Sequence, residues 1–547
     1  MSDDSDDGFR FSADGTPLDD GDGGGDRSVG GWLRLGVVLV VGLGLAFFFR
    51  PWIHGIVMGL YTTPELLIAA AVAGVVFAIA RRQVPAQAAR SFALSAGTVA
   101  VFGAVVIGST YGAAALGQTT IGGANDRADL PTANADHPRI VPRAVANRYA
   151  SNSLQTSRFK ATGGDVTVVD NTTYWSYALS PDGTRNRYLD KQNGTVLVNM
   201  EQQGKSVRVV DGEMDTGIGM SVTDDYRWQL HKSGPYLVDY HDPFMVVEDG
   251  EQYLAVPYTQ PVFDFRLPVP FTRPTWGGVA LIDSDGEIQH LSPEEAQNNE
   301  VLRNQRLYPF ELARQQVSAT RYRNGIVNTL PVVGAHREEI ELAPLPGEGN
   351  RQPFLTRTEE GLTYFVAAEP FGDTQGLREV WTVDPRTGAF ERFRTGDGST
   401  LVGPRKAADF VRQAAPRTNW DSFDPTEPIP TVVDGSLYWQ LRVVPNDASG
   451  ISYVAFVNAE STDVLRAETT DEITNVVRGE TDVVRETDGD GEEQRQPDIV
   501  IEKRNDDGEV VERLLVFDNE SVTIQRGNAT DGTTTGNTTT TNTTNTG

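Results

Sequence analysis

A motif that recurs four times between residues 174 and 461 is the strongest constraint on how this chain folds. Each copy has a polar turn, a Tyr followed by a bulky residue, and later a short apolar run next to a second turn. The four copies contain Tyr174-Trp175, Tyr253-Leu254, Tyr364-Phe365 and Tyr438-Trp439, and their second turns begin at Asp190, Asp283, Asp384 and Asn458. An internal repeat of this kind predicts one supersecondary unit that is used several times. We therefore expect most of the chain to consist of a repeated β-module.

Short helical patterns accompany the β segments and predict how each module is layered. These patterns begin at Pro142, Ser292, Pro309 and Pro404. The second is the most specific, because Ser292, Pro293 and Glu295 match an N-cap, a first helical residue and a capping-box partner. A helix beside antiparallel strands buries one face of the sheet. The expected fold class is therefore α+β, with repeated modules of antiparallel β-sheet plus helix.

Three apolar segments precede the repeats and predict N-terminal transmembrane α-helices. They cover residues 35–49, 66–80 and 92–116. About 20 apolar residues cross a bilayer core, so the first two segments are short, and two spans remain an alternative to three. The loop with Arg81, Arg82 and Arg90 is the most basic near these segments, which favours a cytoplasmic position. We expect a multi-pass protein of the cell membrane, with a cytoplasmic N-terminus and an extracellular C-terminal ectodomain.

The acidic composition limits the partners of the chain. It has 75 Asp and Glu residues against 47 Lys and Arg, a formal net charge of −28, and only six of the basic residues are Lys. Such a surface suits molar salt, in which the Debye length is about 3 Å. We expect a haloarchaeal protein, with an ordinary acidic secreted protein as the alternative. No basic patch is present to bind phosphates, so we expect no nucleic-acid partner.

Six N-x-S/T sequons bear on the predicted orientation. They begin at Asn171, Asn193, Asn519, Asn528, Asn537 and Asn542. None lies before residue 150, and three lie in the last twenty residues, within a Thr- and Asn-rich segment. This composition is typical of a disordered, glycosylated tail. We predict a glycoprotein with these six Asn residues as acceptors.

The repeat resembles the PepSY-type module, in which a strand with Tyr-Trp pairs with one ending in Val-Asp-x-x-Thr-Gly-Glu. The closest match runs from Val383 to Ala389, with Ala389 where that family usually has an acidic residue. The resemblance covers residues 140–470, and the whole arrangement is similar to uncharacterised membrane proteins of archaea and bacteria. It implies extracytoplasmic control of peptidases or an accessory role in the envelope. It supplies no catalytic residue and no cofactor.

These patterns together predict nine segments. They are a disordered acidic cytoplasmic tail (1–30), a transmembrane region of about three helices (31–117), a linker (118–137), a first ectodomain module (138–235), three PepSY-like modules (236–320, 321–400 and 401–470), a small β appendage (471–527) and a Thr/Asn-rich disordered tail (528–547).

Few residues suggest chemistry. The sequence has no Cys, which excludes disulfides, thiolate nucleophiles and zinc–thiolate sites. The loop from Asp239 to Pro243 combines His241 with carboxylates, but such residues before a Pro are more often turn residues than metal ligands. Arg50, His54 and Glu65 are the ionisable residues near the apolar segments, and we place them at the outer interface. We therefore predict no catalytic, cofactor or metal residue, and no enzyme.

The function that these observations favour is binding. We expect a membrane-anchored cell-surface protein whose repeats bind or regulate another envelope or surface-layer component, through an exposed strand edge or a groove. One alternative is an extracytoplasmic, metal-assisted enzyme, which requires His241 and Asp242 to meet another acid in a pocket. A second alternative is a subunit of a membrane complex. The oligomeric state and the partner's identity do not follow from the sequence.

Overall fold

Asp-Gly and Asp-Asn pairs between apolar runs fold as tight turns, which makes hairpins the dominant local structure. Both central residues have positive φ in Asp170-Asn171, Asp249-Gly250 and Asp434-Gly435. Two consecutive residues of positive φ give the turn whose twist matches that of antiparallel strands. Each of these three turns joins two consecutive strands that pair antiparallel in one sheet.

The computed structural model describes residues 27–83, 86–154, 157–266, 269–347, 351–372, 376–396, 401–480, 499–504 and 510–516. It divides the chain into two units, Met1–Thr487 and Asp488–Gly547. In the second unit, two strands of the predicted appendage pair antiparallel. The predicted tail at 528–547 and residues 1–26 of the predicted N-terminal tail lie outside the described residues.

Eleven α-helices are formed by the described residues. They are α1 (Arg27–Phe48), α2 (Arg50–Thr62), α3 (Pro64–Gln83), α4 (Ala86–Gly123), α5 (Arg143–Asn152), α6 (Asn186–Leu189), α7 (Tyr226–Ser233), α8 (Pro293–Asn298), α9 (Phe310–Ala319), α10 (Pro404–Ala414) and α11 (Thr470–Val477). The four short helices predicted from the sequence are confirmed as α5, α8, α9 and α10. The capping box predicted for α8 is also present, between Ser292 and Glu295.

The same residues form twenty-three β-strands. They are β1 (Asn125–Arg127), β2 (Phe159–Val169), β3 (Thr172–Pro181), β4 (Gln192–Asn199), β5 (Val207–Met214), β6 (Asp239–Tyr240), β7 (Phe244–Glu248), β8 (Glu251–Arg266), β9 (Val269–Ile282), β10 (Ile288–Leu291), β11 (Ile340–Leu342), β12 (Phe354–Thr358), β13 (Gly361–Pro370), β14 (Gly376–Leu377), β15 (Glu379–Val383), β16 (Phe390–Arg394), β17 (Leu401–Val402), β18 (Phe423–Val433), β19 (Ser436–Pro445), β20 (Tyr453–Asn458), β21 (Val464–Ala467), β22 (Ile499–Arg504) and β23 (Val510–Val516).

Four antiparallel meanders form most of the first unit after residue 124. The first sheet is β2–β5, the second contains β7–β10 with β6, the third contains β12, β13, β15 and β16 with β1 and β11, and the fourth is β18–β21. Neighbouring strands of each meander follow one another along the chain with antiparallel pairing. Strand β1 adds to the outer edge of the third sheet in parallel with β16.

The fourfold sequence repeat corresponds to these four meanders. The repeated Tyr residues, Tyr174, Tyr253, Tyr364 and Tyr438, each lie on the second strand of a meander. In the last three copies, the second turn follows or ends the third strand, as the sequence suggested. In the first copy the predicted turn at Asp190 lies before the third strand instead, because helix α6 lengthens that connection.

Apolar clusters fill the space between neighbouring sheets. Trp175 of the first sheet and Trp381 of the third lie in one cluster. Phe365 of the third sheet and Trp439 of the fourth lie in another, and Ala178 and Met245 join the first and second sheets in a third. Sheets that pack on each other by both faces need adjacent apolar residues along a strand. Adjacent Tyr364 and Phe365, both buried, are one such pair.

The predicted fold class is corrected by this architecture. We expected α+β modules in which a helix covers one face of each sheet, preceded by transmembrane helices. The structure after residue 124 is instead mainly β-sheet, and its sheets pack on one another. The four predicted short helices are nevertheless present. The sequence did not predict that the sheets pack on one another. Two adjacent apolar residues on a strand are also compatible with a half-buried strand that packs against a helix.

The predicted membrane spans are corrected as well. No single helix of the described residues combines the length and the hydropathy needed to cross a membrane. Only the pair Gly36–Phe48 and Arg50–Thr62 meets both conditions together, and that pair is bent by 92°. The bend follows from Pro51, which lacks the N–H needed to continue a helix across this point. The predicted multi-pass localisation, with its cytoplasmic N-terminus and extracellular ectodomain, is therefore not supported.

The three ionisable residues placed at a membrane interface instead lie inside the fold. Arg50 donates hydrogen bonds to the carbonyl oxygens of Gly234 and Pro235, each at 2.9 Å. The His54 Nε2 atom lies 2.8 Å from the Val238 carbonyl oxygen. Glu65 is buried and packs against Gly108 of α4. The first two residues thus attach α2 to the second sheet region.

A buried carboxyl group in the third sheet gives a prediction of pH-dependent stability. Glu369 is 2% exposed, and its Oε1 has no hydrogen-bond partner among the described residues. Burial, and then Glu341 on the paired strand, raise the pKa of Glu369 to about 7 from 4.5. The folded state thus holds the proton more tightly, and stability falls as pH rises from 4.5 to 7. We expect the free energy of unfolding of Glu369→Gln to exceed that of the wild type by about 2 kcal/mol at pH 8. At pH 4.5 the two proteins should be equally stable.

Urea unfolding at both pH values measures this difference. Glu359→Gln, at an exposed position, is the control and should leave the pH dependence unchanged. A Glu369→Gln variant that loses as much stability as the wild type between pH 4.5 and 8 would show that Glu369 is not the group responsible.

Candidate functional site: a cavity between four sheets

The four sheets surround one cavity of about 350 Å³. Its wall includes β2 of the first sheet, the segment before β7 of the second, the start of β12 in the third, and Glu427 on β18 of the fourth. Each meander therefore faces the cavity with its first strand or with the residues just before it.

A buried ion pair closes one side of the cavity. Arg139 and Glu427 lie 2.8 Å apart, and each side chain is 8% exposed. Arg139 also donates to the Leu355 carbonyl oxygen at 2.6 Å, while Glu427 accepts the backbone N–H of Arg143 at 2.8 Å. Glu427 lies at a bulge in β18 and has a φ of +46°. A bulge re-aims the side chain that it carries, and here that side chain lines the cavity.

A second arginine lies directly behind this pair. Arg442 is fully buried and donates hydrogen bonds to four backbone carbonyl oxygens, those of Arg139, Ile140, Glu427 and Gln440. No carboxylate of the described residues forms an ion pair with it. Burial and the nearby Arg139 charge lower the pKa of Arg442 to about 9. The wall of the cavity is thus backed by a positive charge that no carboxylate neutralises directly.

A second ion pair also lines the cavity. Asp165 on β2 pairs with Arg306, which is buried and lies with its guanidinium carbon 4.4 Å from the centre of the Phe244 ring. Asp165 follows a bulge made by Gly163 and Gly164, which have φ values of +92° and +94°. Glycine adopts this conformation without strain. The bulge shifts the register of β2 and so places Asp165 at the cavity.

Exposed charged residues are found on the open side. Arg351 and Glu311 lie 3.5 Å apart, with side chains 60% and 42% exposed. Arg143 and Arg227 are exposed and line the same cavity. Arg227 donates to the Tyr226 hydroxyl at 2.8 Å, and burial raises the pKa of Tyr226. These side chains are the ones that a bound molecule meets first.

The one loop singled out from the sequence contributes to this cavity. His241 and Asp242 line it, together with Asp165 and Glu311. Burial lowers the pKa of His241, and its Nε2 lies 3.1 Å from the Thr259 hydroxyl oxygen. This loop therefore does meet other acids in a pocket. Within the described ranges, however, no group of three or more His, Asp or Glu residues is placed to hold a metal ion.

The other cavity residues were missed by sequence reasoning. Arg139, Asp165, Arg306 and Glu427 come from four distant parts of the chain, so no local motif joins them. One local signal was available. A Gly163-Gly164 pair inside a strand pattern suggests a bulge or a close approach of the backbone to another group. Of the repeated aromatic residues, Trp175 and Tyr364 line the cavity, and both are buried.

Two of the six predicted glycosylation sites lie in the described residues. The Asn171 side-chain oxygen accepts a hydrogen bond from Arg357 at 2.7 Å, and its Nδ2 lies 3.3 Å from His137. Asn193 is half-buried in β4, and its sequon residue Thr195 is buried and donates to Gln252. Asn519, Asn528, Asn537 and Asn542 lie outside the described residues. Glycosylation stays a prediction at all six sites.

Comparison with known proteins identifies no family. No family model matches the chain, and no curated protein matches it. Among solved structures, a GH43_1 enzyme from Xanthomonas citri is 11% identical, with 58% of this chain and 76% of that chain covered and a TM-score of 0.19. The same enzyme complexed with xylotriose is 12% identical, with 58% and 77% covered and a TM-score of 0.19.

These comparisons correct one expectation and leave another as it was. We expected no enzyme, yet the solved structures that resemble the chain are enzymes, so that expectation is withdrawn. At a TM-score of 0.19 the likeness indicates neither a reaction nor a substrate for this chain. The resemblance to PepSY-type modules and the haloarchaeal origin stay predictions, since no family model matches.

Proposed function

We propose that the cavity between the four sheets binds a small polar ligand. We also propose that this ligand is a chemical group of another molecule, which the chain recognises in this way. One observation carries the proposal: the four sheets and the segments that connect them line a single cavity of about 350 Å³, and charged side chains of both signs are among the lining residues. Ligand sites in proteins are commonly concave spaces of about 300–1,000 Å³ with a few convergent polar groups. On this proposal, the envelope component that we expect as a partner binds by placing one of its chemical groups in this cavity.

The polar groups of the wall suit a ligand with several hydrogen-bonding atoms. Arg351 and Glu311 lie on the open side with exposed side chains, and Asp242 is also exposed. Deeper in the wall, Arg139 and Glu427 hold each other in place, so a ligand finds their side chains already oriented. Sites whose polar groups are fixed before binding lose less entropy on association.

A thermal-shift screen of the full chain tests this proposal. We would use glucose, glucuronate, glutamate, lysine and a dipeptide, and would then measure affinities by calorimetry for any that bind. We expect at least one of them to raise the Tm, and Asp242→Asn together with Glu311→Gln to weaken its binding about tenfold. Asp211→Asn, on the exposed edge strand β5, is the control. Binding that is unchanged in the double variant, or no binding in the whole panel, would contradict the proposal.

Hydrolysis of a bound ligand is a second candidate, and one observation favours it. Asp165, Asp242 and Glu311 line the same cavity from three different segments. A pair of carboxyl groups on either side of a bond can protonate a leaving oxygen and activate a water molecule. Chromogenic glycosides and peptides incubated with the wild type and with Asp242→Asn test this candidate. Turnover by the wild type that the variant lacks would favour the enzyme, and binding without turnover would remove it.

A further inference from the structure

The cavity reverses the charge balance of the chain. The sequence as a whole has 75 acidic and 47 basic residues. The cavity, in contrast, is lined by five arginines and four carboxylates. The arginines are Arg139, Arg143, Arg227, Arg306 and Arg351, and the carboxylates are Asp165, Asp242, Glu311 and Glu427. The residues that line the cavity thus have a small excess of positive charge, whereas the chain as a whole has an excess of negative charge.

Three ion pairs neutralise three of these arginines, and the charged residues that remain have a net positive charge. Arg139 pairs with Glu427, Arg306 with Asp165, and Arg351 with Glu311. Two arginines then remain, Arg143 and Arg227, against one carboxylate, Asp242. The ring of His241 adds no positive charge near neutral pH, because burial lowers its pKa. Among the residues that line the cavity, those left unpaired therefore include one more cation than anion.

Arg442 adds a further cation behind the wall. Its four acceptors are backbone carbonyl oxygens, and two of them belong to the cavity residues Arg139 and Glu427. Carbonyl oxygens solvate a guanidinium but carry no net charge. A charge in a wall of low dielectric is screened far less than one on the surface, so it raises the potential inside the neighbouring cavity. Such a potential attracts an anion.

We propose that the ligand of this cavity carries an anionic oxygen group, such as a carboxylate, a phosphate or a sulfate, and that Arg143 and Arg227 contact this group. The inference rests on the proposed function of the cavity and specifies its ligand class. Arginine suits the role because its planar fork of N–H donors matches two oxygen atoms of one anionic group. Both side chains are exposed, so they can reorient toward a ligand.

Glucose and glucuronate provide a matched pair of probes, because they differ only in a CH₂OH group against a carboxylate. Calorimetry on the full chain, in one buffer of fixed salt, measures both affinities, with sodium sulfate as a third probe. We expect glucuronate to bind about tenfold more tightly than glucose, and Arg227→Gln to remove this advantage. Arg143→Gln provides the same comparison if the first variant does not fold. Arg208→Gln, an exposed arginine on β5, is the control and should bind as the wild type does.

The outcomes separate this inference from the function on which it rests. Glucose that binds as tightly as glucuronate, together with no binding of sulfate, would overturn the anionic ligand and leave the polar cavity in place. Glucuronate affinity that is unchanged in both arginine variants would also overturn the inference. Sulfate that binds without any gain for glucuronate would support an inorganic oxyanion as the ligand, provided that Arg227→Gln weakens it. A failure of all probes, including those of the thermal-shift panel, would contradict the proposed function and the inference together.

Discussion

We expect Arg442→Met to lower the free energy of unfolding by about 3 kcal/mol. The side chain is fully buried and donates to the carbonyl oxygens of Arg139, Ile140, Glu427 and Gln440. Met fills a similar volume but has no N–H, so four buried carbonyls lose a donor at about 1 kcal/mol each. Removal of a buried charge offsets part of this loss, because its desolvation cost disappears. Urea unfolding followed by circular dichroism measures the net change.

A matched substitution distinguishes this effect from the loss of any arginine. Arg208 on β5 forms only an exposed ion pair with Asp170 at 3.4 Å. Exposed pairs contribute about 0–1 kcal/mol, so Arg208→Met should change stability by less than that. Equal losses in the two variants would show that the four carbonyl contacts do not stabilise the fold as argued.

We expect Gly164→Ala to destabilise the protein by about 3 kcal/mol and to alter the cavity wall. The residue has a φ of +94°, where a β-carbon is strained by about 1–2 kcal/mol. A β-carbon here would also lie 2.6 Å from the Tyr177 ring, which is buried and cannot move freely. Overpacking of this kind costs about 1–3 kcal/mol more. The measurement is the unfolding free energy, together with ligand affinity where the variant remains folded.

The neighbouring glycine is an internal control for this prediction. Gly163 has a nearly equal φ of +92°, but a β-carbon there would meet no atom within 4 Å. Gly163→Ala should therefore cost only the backbone strain, about 1–2 kcal/mol. If the two variants lose the same stability, the contact with Tyr177 has no role and strain alone explains both.

Local features of this fold could be predicted from the sequence because their physical causes are local. Ser292 and Glu295 are three residues apart, and both hydrogen bonds of their capping box are present. The repeated Tyr residues mark the second strand of every meander, since the turn before them and the alternation after them are short-range signals. The repeat therefore showed how many units to expect, but not that the sheets pack against each other.

Long-range features could not be predicted, and the cavity is one of them. Arg442 finds two of its four acceptors about 300 residues earlier, at Arg139 and Ile140, and no spacing rule connects such positions. The membrane prediction failed for a related reason. Apolar composition alone did not show that Arg50 and His54 would be held by carbonyl groups near residue 235. Only the loop with His241 and Asp242 was found in advance, because its residues are neighbours in the sequence.

The short segment 139–141 contacts three sheets, and this affects when the cavity forms. The N–H groups of Ile140 and Val141 donate to the Met200 carbonyl of the first sheet at 2.8 and 3.0 Å. Arg139, next to them, reaches Leu355 of the third sheet and Glu427 of the fourth. Contacts between residues so distant along the chain form slowly, because large loops must close first. We therefore expect the cavity to form late in folding, because a chain that has folded only some of its sheets lacks part of the cavity wall.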